Sequence, residues 1–212
     1  MVPGGWHSCS GRPYGRRTRW RRTRGGSVRL FGSHRKWWVC VRFVGQAYRA
    51  HDLKWSFLPI SGAGAERRGG RFNPFGIPAL YLSLTPISAV LEASQRSSAK
   101  FHPYVLCSYA VDCDDIVDLS DIATQKAEDI SGDDLASPWL SMLEVGEEPP
   151  QWKVCRGLLQ RGVAGIITAS YAPGAQGLDR NLVLWRWGPD LPHKIEVFDP
   201  SGRLPKNQLS WD

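Results

Sequence analysis

The sequence predicts a mixed α+β domain with a largely antiparallel sheet and flanking helices. Hydrophobic residues make up 42% of the 212 residues, which is enough to bury one compact core. Short apolar runs alternate irregularly with candidate helices, without the regular spacing of β-α-β units. A doubly wound parallel sheet is therefore the weaker alternative.

The basic residues are concentrated at the start of the chain. Residues 1–36 hold ten Lys or Arg and no Asp or Glu, so seventeen basic and twenty acidic residues remain from position 37 onward. A segment rich in Gly, Arg and Ser buries too little apolar surface to offset its ordering entropy. We therefore expect a disordered Arg-rich leader over residues 1–36 and one folded domain over residues 37–212.

Two interpretations of the leader stay open. Arginine contacts phosphate and Trp20 offers a stacking surface for a base, so any nucleic-acid contact is expected only through residues 12–36. An upstream extension without a selected role is favoured over this, because composition alone is weak evidence.

Local patterns place the elements along the domain. Short runs rich in β-branched and aromatic residues predict strands, in order Trp37–Phe43, Ala79–Ser83, Pro103–Val111, Ile116–Leu119, Ala164–Thr168, Asn181–Trp187 and Lys194–Phe198. The Pro- and Gly-rich residues 59–78 predict a long loop after the first strand. Capping residues and helical spacing predict helices at Thr85–Ser98, Asp121–Asp129, Leu135–Val145 and Gln151–Arg161.

Cysteine usage and hydropathy limit the class of protein. Five cysteines are an odd number without C-x-x-C spacing, so we expect free thiols and no metal site. No apolar run approaches the roughly 20 residues of a membrane span, and the leader lacks the apolar segment of a secretory signal. We expect a cytoplasmic protein without membrane contact.

The densest polar cluster is the stretch AERRGGRFNPFG at residues 65–76. Arginines among glycines, Arg71 in particular, can approach a pyrophosphate closely and bind it bidentately. The stretch matches neither G-x-G-x-x-G nor G-x-x-x-x-G-K-[ST], so a turn-rich structural loop is the alternative that spacing alone favours.

Glu92 and Ser170 are further polar candidates. Glu92 lies in an otherwise apolar helix, in which Ile87, Val90 and Leu91 are predicted to form the buried stripe. Taken alone, a helical Glu is most often a solvated surface residue. Ser170 follows an apolar strand, where polar residues often line a cleft, and it lies in no G-x-S-x-G motif.

Several motifs together resemble the RES domain. In order they are Tyr48-Arg49-Ala50, SGAGA at 61–65, GGRFNPFG at 69–76, PALYLS at 78–83, AVLE at 89–92, the strand that ends at Ser170, and NLVL at 181–184. The resemblance covers about residues 38–212. Phe72 departs from the Trp that is usual in the family, and the loop after Ser170 is irregular.

The resemblance implies an ADP-ribosyltransferase-like fold and an NAD-degrading toxin of a type II toxin–antitoxin system. Such an enzyme cleaves the nicotinamide–ribose bond, with water or phosphate as acceptor, so NAD is a substrate and no cofactor is needed. The implied partner is an Xre-like helix-turn-helix antitoxin, with which an oligomer is expected. The alternatives are an ADP-ribosyltransferase that modifies a protein and an inactive RES fold that only binds a partner.

The resemblance also assigns roles residue by residue. The implied catalytic residues are Glu92, Arg71 and Tyr81, and the implied NAD-binding residues are Arg49, Ser170 and Asn181. Glu92 would stabilise the positive charge that develops on the nicotinamide ribose, as carboxylates do in glycoside cleavage. Arg49 and Arg71 would hold the phosphates, Tyr81 would pack on the nicotinamide or its ribose, and Ser170 would orient the substrate.

Overall fold

The computed structural model describes residues 40–94 and 103–207. The predicted leader lies outside the described residues, as do Trp37–Val39 of the first predicted strand and the end of the helix predicted to reach Ser98. The boundary between leader and domain therefore stays a prediction.

The described residues form a mixed α+β domain. Its strands are β1 Cys40–Asp52, β2 Leu80–Ser83, β3 Tyr104–Asp118, β4 Gly165–Ala169, β5 Arg180–Leu184 and β6 His193–Val197. Its α-helices are α1 Ala63–Arg68, α2 Pro86–Ser94, α3 Ile122–Glu128, α4 Gly132–Ala136, α5 Trp139–Glu144 and α6 Pro150–Gln160. A single 3-10 turn, Leu53–Trp55, follows β1. The predicted mixed α+β class is confirmed, and the predicted likeness to ADP-ribosyltransferases stays a prediction.

The described strands form one sheet that closes on itself. Their order is β1-β2-β5-β4-β3-β6, and β1 also pairs with β3, which makes a five-stranded ring. One edge of the long β3 pairs with β1, and its other edge pairs with β6 and then with β4. The β3–β4 pair is parallel and the other pairs are antiparallel. The largely antiparallel character is confirmed, whereas the closure into a barrel was not predicted.

Two apolar clusters lie on the two faces of this sheet. Inside the ring, Leu80 and Leu82 of β2 pack with Leu182 and Leu184 of β5. On the outer face, Val183 packs with residues of α4 and α6. Neighbouring residues of β5 thus belong to different clusters, because successive side chains of a strand point to opposite faces.

Three predicted elements differ from the structure. Residues 59–78 are not all loop, because α1 forms there and ends at Gly69, whose φ is 67°. Two predicted strands are one, since β3 continues through Asp115 with a φ of 61°. The predicted helix Leu135–Val145 is interrupted at Ser137, which is extended before Pro138 because proline disfavours a helical residue in front of it.

The predicted buried stripe of α2 is also wrong. Ile87 and Val90 are 73% and 41% exposed, whereas Ser88 and Ala89 are buried. Ser88 tolerates burial because its hydroxyl is hydrogen-bonded to Asp179 and Thr85. The helix therefore packs through small side chains.

Candidate active site

The carboxylate of Glu92 is bound by side chains from the β4–β5 region. Its Oε1 accepts hydrogen bonds from Ser170 Oγ at 2.7 Å and from Asn181 Nδ2 at 2.5 Å. Ser170 directly follows β4 and Asn181 lies near the start of β5. The two residues are close because β4 and β5 are antiparallel and Thr168 lies opposite Asn181. The fold therefore brings Glu92, Ser170 and Asn181 into direct contact.

The orientation of the Asn181 amide is fixed from its other side. Ser83 Oγ donates to Asn181 Oδ1 at 2.9 Å, and the two residues are opposite each other in the β2–β5 pairing. Because the carbonyl oxygen accepts this bond, the NH₂ group is directed at Glu92. Ser83 is buried and was not among the predicted site residues.

Arg71 presents a partly fixed guanidinium. Its NH1 donates to the carbonyl oxygens of Ser137 at 2.8 Å and Leu135 at 3.4 Å, and its Cζ lies 4.5 Å from the centre of the Tyr171 ring. Among the described residues, Nε and NH2 have no hydrogen-bond partner. NH1 and one face of the group are thus held, while the Nε–NH2 edge is available for an anion.

Burial lowers the pKa of Arg71, and the neighbouring Tyr171, Glu92 and Tyr81 act in the opposite direction. An arginine keeps its charge throughout the physiological range. Glu92 and Tyr81 thus act on the guanidinium electrostatically. The site therefore combines a carboxylate with a partly desolvated positive charge.

Tyr81 fixes the loop that carries Arg71. Its hydroxyl donates to Asn73 Oδ1 at 2.7 Å and accepts from the Phe72 backbone N–H at 3.0 Å. Gly70 approaches so closely that a Cβ there would lie 2.5 Å from the Tyr81 hydroxyl. The observed contacts of this hydroxyl position a loop, and the predicted packing of Tyr81 on nicotinamide stays a prediction.

Arg49 leaves β1 on the other face of the sheet. Tyr48 lies opposite Ser83, so the next residue, Arg49, is directed away from the face that carries Ser83 and Asn181. Its NH1 donates to the Ser61 carbonyl at 3.2 Å. The predicted contact of Arg49 with NAD phosphates therefore stays a prediction.

The hydrogen bond from Arg49 is one of three that side chains donate to backbone carbonyls of residues 59–61, which precede α1. Tyr109 Oη donates to the Pro59 carbonyl and Trp187 Nε1 donates to the Ile60 carbonyl, each at 2.9 Å. Three consecutive carbonyls are thus held by side chains from β1, β3 and the residues after β5. This arrangement fixes residues 59–61 at the start of the loop region.

Two cavities of the described residues are lined by neither Glu92 nor Arg71. A cavity of about 530 Å³ is lined by residues 185–190, with Pro78, Pro192 and His193, and one of about 500 Å³ is lined by residues 57–61 and 195–197.

In the described part of the chain, no group of three His, Cys, Asp or Glu is close enough to hold a metal ion. The cysteines described there are free thiols, and no helix there is long and apolar enough to span a membrane.

Comparisons with known proteins find one matching family model and a solved structure with a similar fold. The model of a family described as the RES domain matches residues 46–210. Among solved structures, the chain is similar to one in the crystal structure of the M. tuberculosis MbcT–MbcA toxin–antitoxin complex, with a TM-score of 0.55 and 20% identity over 76% of this chain and 84% of that chain. No curated protein matches significantly. Identity at this level shows a shared fold.

Proposed function

Because this chain belongs to the RES-domain family, we propose that it is a toxin that degrades NAD by cleaving the nicotinamide–ribose bond. The observation that supports this reaction best is the carboxylate of Glu92, which Ser170 and Asn181 hold and which acts electrostatically on the pKa of Arg71. An isolated helical Glu on the protein surface has no need of two side-chain donors from another part of the fold.

The proposed reaction breaks the bond between C1 of the ribose and the ring nitrogen of nicotinamide. The bonding electron pair leaves with nicotinamide, which departs as a neutral molecule, so no general acid is required. Positive charge develops on the ribose, and a nearby carboxylate stabilises that charge. An oxygen of water or phosphate then bonds to C1, and with water as acceptor one proton is released. Glu92 is proposed as this carboxylate.

Arg71 suits the binding of a diphosphate. Its NH1 is held by the Ser137 carbonyl, and one face of the guanidinium packs on the Tyr171 ring. The Arg71 side chain therefore has little conformational freedom left to lose when a phosphate binds. The Nε–NH2 edge is the geometry with which arginine binds a phosphate bidentately. We assign the phosphates of NAD to this edge.

We propose that the partner of this protein is an antitoxin and that the two proteins meet in the cytoplasm. The family assignment supports a toxin, and the structural neighbour was solved in a toxin–antitoxin complex. An Xre-like helix-turn-helix protein that forms an oligomer with this chain is the partner that the resemblance implies.

The test is nicotinamide release from NAD by the purified chain, with and without inorganic phosphate. We expect Glu92→Gln to lower kcat by about 100- to 1000-fold, the usual loss when a group that stabilises transition-state charge is removed. Glu147→Gln is the matched control, because Glu147 is exposed and its side chain has no hydrogen bond or ion pair in the described structure. Faster turnover with phosphate would identify phosphate as acceptor.

Two results would contradict the proposal. An unchanged rate of nicotinamide release in Glu92→Gln would show that Glu92 is not a catalytic residue. Absence of release in either buffer would exclude NAD hydrolysis and phosphorolysis. Transfer of label from NAD to a protein would then support the transferase alternative, and its absence would support a fold that only binds a partner.

A further inference from the structure

Asp179 connects three parts of the candidate site. Its Oδ1 accepts a hydrogen bond from Ser88 Oγ at 2.6 Å, and its Oδ2 accepts from the Gln176 backbone N–H at 2.7 Å. Its own carbonyl oxygen accepts from the Ser170 backbone N–H at 2.8 Å. Asp179 therefore joins helix α2, the β4–β5 loop and the residue that donates to Glu92.

The position of Ser88 makes this link relevant to Glu92. Ser88 is fully buried in α2, four residues before Glu92, so the two side chains lie on the same side of the helix. The Ser88 backbone N–H donates to Thr85 Oγ1 at 3.1 Å, which fixes Ser88 in the first turn of α2. A displacement of Ser88 would therefore move Glu92 with it.

The bond from Ser88 to Asp179 has no substitute in the described residues. Apart from the bonds of Glu92 itself, it is the only hydrogen bond between α2 and residues 170–181 in the described structure. The Ser88 hydroxyl, followed by the Gln176 N–H, holds the pKa of Asp179 below its ordinary value, so this acceptor is ionised at neutral pH. A charged acceptor makes the hydrogen bond stronger than a neutral one.

We propose that Asp179 is a positioning residue, which holds α2 against the β4–β5 loop through Ser88 and so sets the distance from Glu92 to Ser170 and Asn181. The inference rests on the proposed NAD cleavage for its effect on catalysis. Asp179 acts through Glu92 and Ser170 and needs no contact with the substrate. A displacement of about 1 Å in a catalytic group is enough to lower a rate by about 100-fold.

Steady-state kinetics of nicotinamide release test the proposal in the full chain. We expect Asp179→Asn and Ser88→Ala each to lower kcat by about 10- to 100-fold with little change in KM, because the loss affects transition-state stabilisation and not binding. The double variant should be no slower than the slower single variant, since both changes act on the same hydrogen bond: Asp179→Asn removes the charge of the acceptor, and Ser88→Ala removes the donor. Asp190→Asn is the control, because Asp190 is exposed and its side chain has no hydrogen bond or ion pair in the described structure.

Amide hydrogen exchange tests the same link without any activity. We expect the Gln176 amide to exchange faster in Asp179→Asn than in Asp190→Asn, because its acceptor is the carboxylate oxygen that the substitution changes. The Ser170 amide should follow, because its acceptor is the backbone carbonyl of Asp179, which is released when the side chain no longer holds the loop. If wild-type protein releases no nicotinamide, the proposed function fails, and exchange alone decides about the link. Unchanged exchange at both amides would overturn the link. The positioning role would be overturned if the fold-loss in kcat of the double variant equalled the product of the two single losses. It would also be overturned if the loss in each variant were explained by the fraction of that variant that is unfolded.

Discussion

His51 is buried in a pair with Tyr109. Its Nε2 lies 2.6 Å from the Tyr109 hydroxyl, which itself donates to the Pro59 carbonyl. The hydroxyl proton is thus used, so Nε2 carries the proton of the neutral imidazole and donates it. Burial, and secondarily the charge of Arg49, lowers the pKa of His51 to about 3. The folded protein therefore keeps this ring neutral in mildly acidic solution.

The depressed pKa of His51 predicts a loss of stability in acid. Between the ordinary pKa of histidine and about 3, the unfolded chain binds a proton that the folded protein does not bind. The free energy of unfolding should therefore fall as the pH decreases through this window, by about 1.4 kcal/mol per pH unit from this group. Urea unfolding of wild type and His51→Gln at several pH values measures the difference in slope.

Above the ordinary pKa of histidine, both states are neutral at this position, so the two proteins should then differ by a constant amount. Equal slopes below that pH would contradict the assignment to His51.

At the residue scale, the sequence predicted which side chains to consider but not which of them meet. Glu92, Ser170 and Asn181 were separate candidates, and their contact depends on the antiparallel pairing of β4 with β5. Ser88 and Asp179 carried no motif signal, because a buried Ser–Asp hydrogen bond between distant residues leaves no pattern in either local sequence. The opposite direction of Arg49 follows from strand alternation, once the register with β2 is known.

Elements were predicted well where a local residue determines an end. The Thr85–Pro86 start of α2 is such a case, and Gly162 just after α6, with a φ of 91°, is another. The continuity of β3 was missed, because Asp115 adopts a positive φ inside the strand, while the pairing with β1 includes Cys113 before it and Ile116 after it. Tertiary pairing overrides a local turn signal here.

The loop that carries Arg71 gives a prediction at the element scale. A Cβ at Gly70 would meet Tyr81 Oη at 2.5 Å and Asn73 Oδ1 at 2.6 Å, the two groups that hold this loop. We expect Gly70→Ala to lower the free energy of unfolding by about 1–3 kcal/mol and to reduce nicotinamide release, because the loop must shift. Chemical unfolding and the kinetic assay measure both effects.

Gly157 is the matched control for this change. It lies exposed in α6, and a Cβ there would meet nothing within 4 Å. Gly157→Ala should raise stability by about 0.5–1 kcal/mol, because alanine loses less backbone entropy in a helix. Equal effects of the two substitutions would argue against a specific contact between Gly70 and Tyr81.

For the whole molecule, composition and alternation predicted the class but not the closure of the sheet. Closure requires β1 to pair with both β2 and β3, and the alternation of a strand does not show how many partners it has. The two apolar clusters follow from closure, since one face of each strand is directed into the ring and the other meets the helices.

The leader gives a prediction for the whole chain. Deletion of residues 1–35 should leave both nicotinamide release and thermal stability unchanged, because a segment rich in Gly, Arg and Ser has little apolar surface to contribute to a core. Deletion of residues 1–45 is the control, since it removes part of β1 from its pairing with β3 and should prevent folding. Loss of activity in the shorter deletion would assign the leader a role.

The strand pairings that close the ring differ in length, and this difference has a consequence for the order of folding. The β1–β3 ladder extends along most of β1, whereas the parallel β3–β4 contact involves only Ile116–Asp118 and Gly165–Ile167. A short parallel contact between distant segments gains little until the strands on both sides are in place. We expect the parallel β3–β4 pairing to form after the transition state. Substitutions in this pairing should therefore accelerate unfolding and leave the folding rate nearly unchanged. The lifetime of the folded protein would then depend on this short parallel contact.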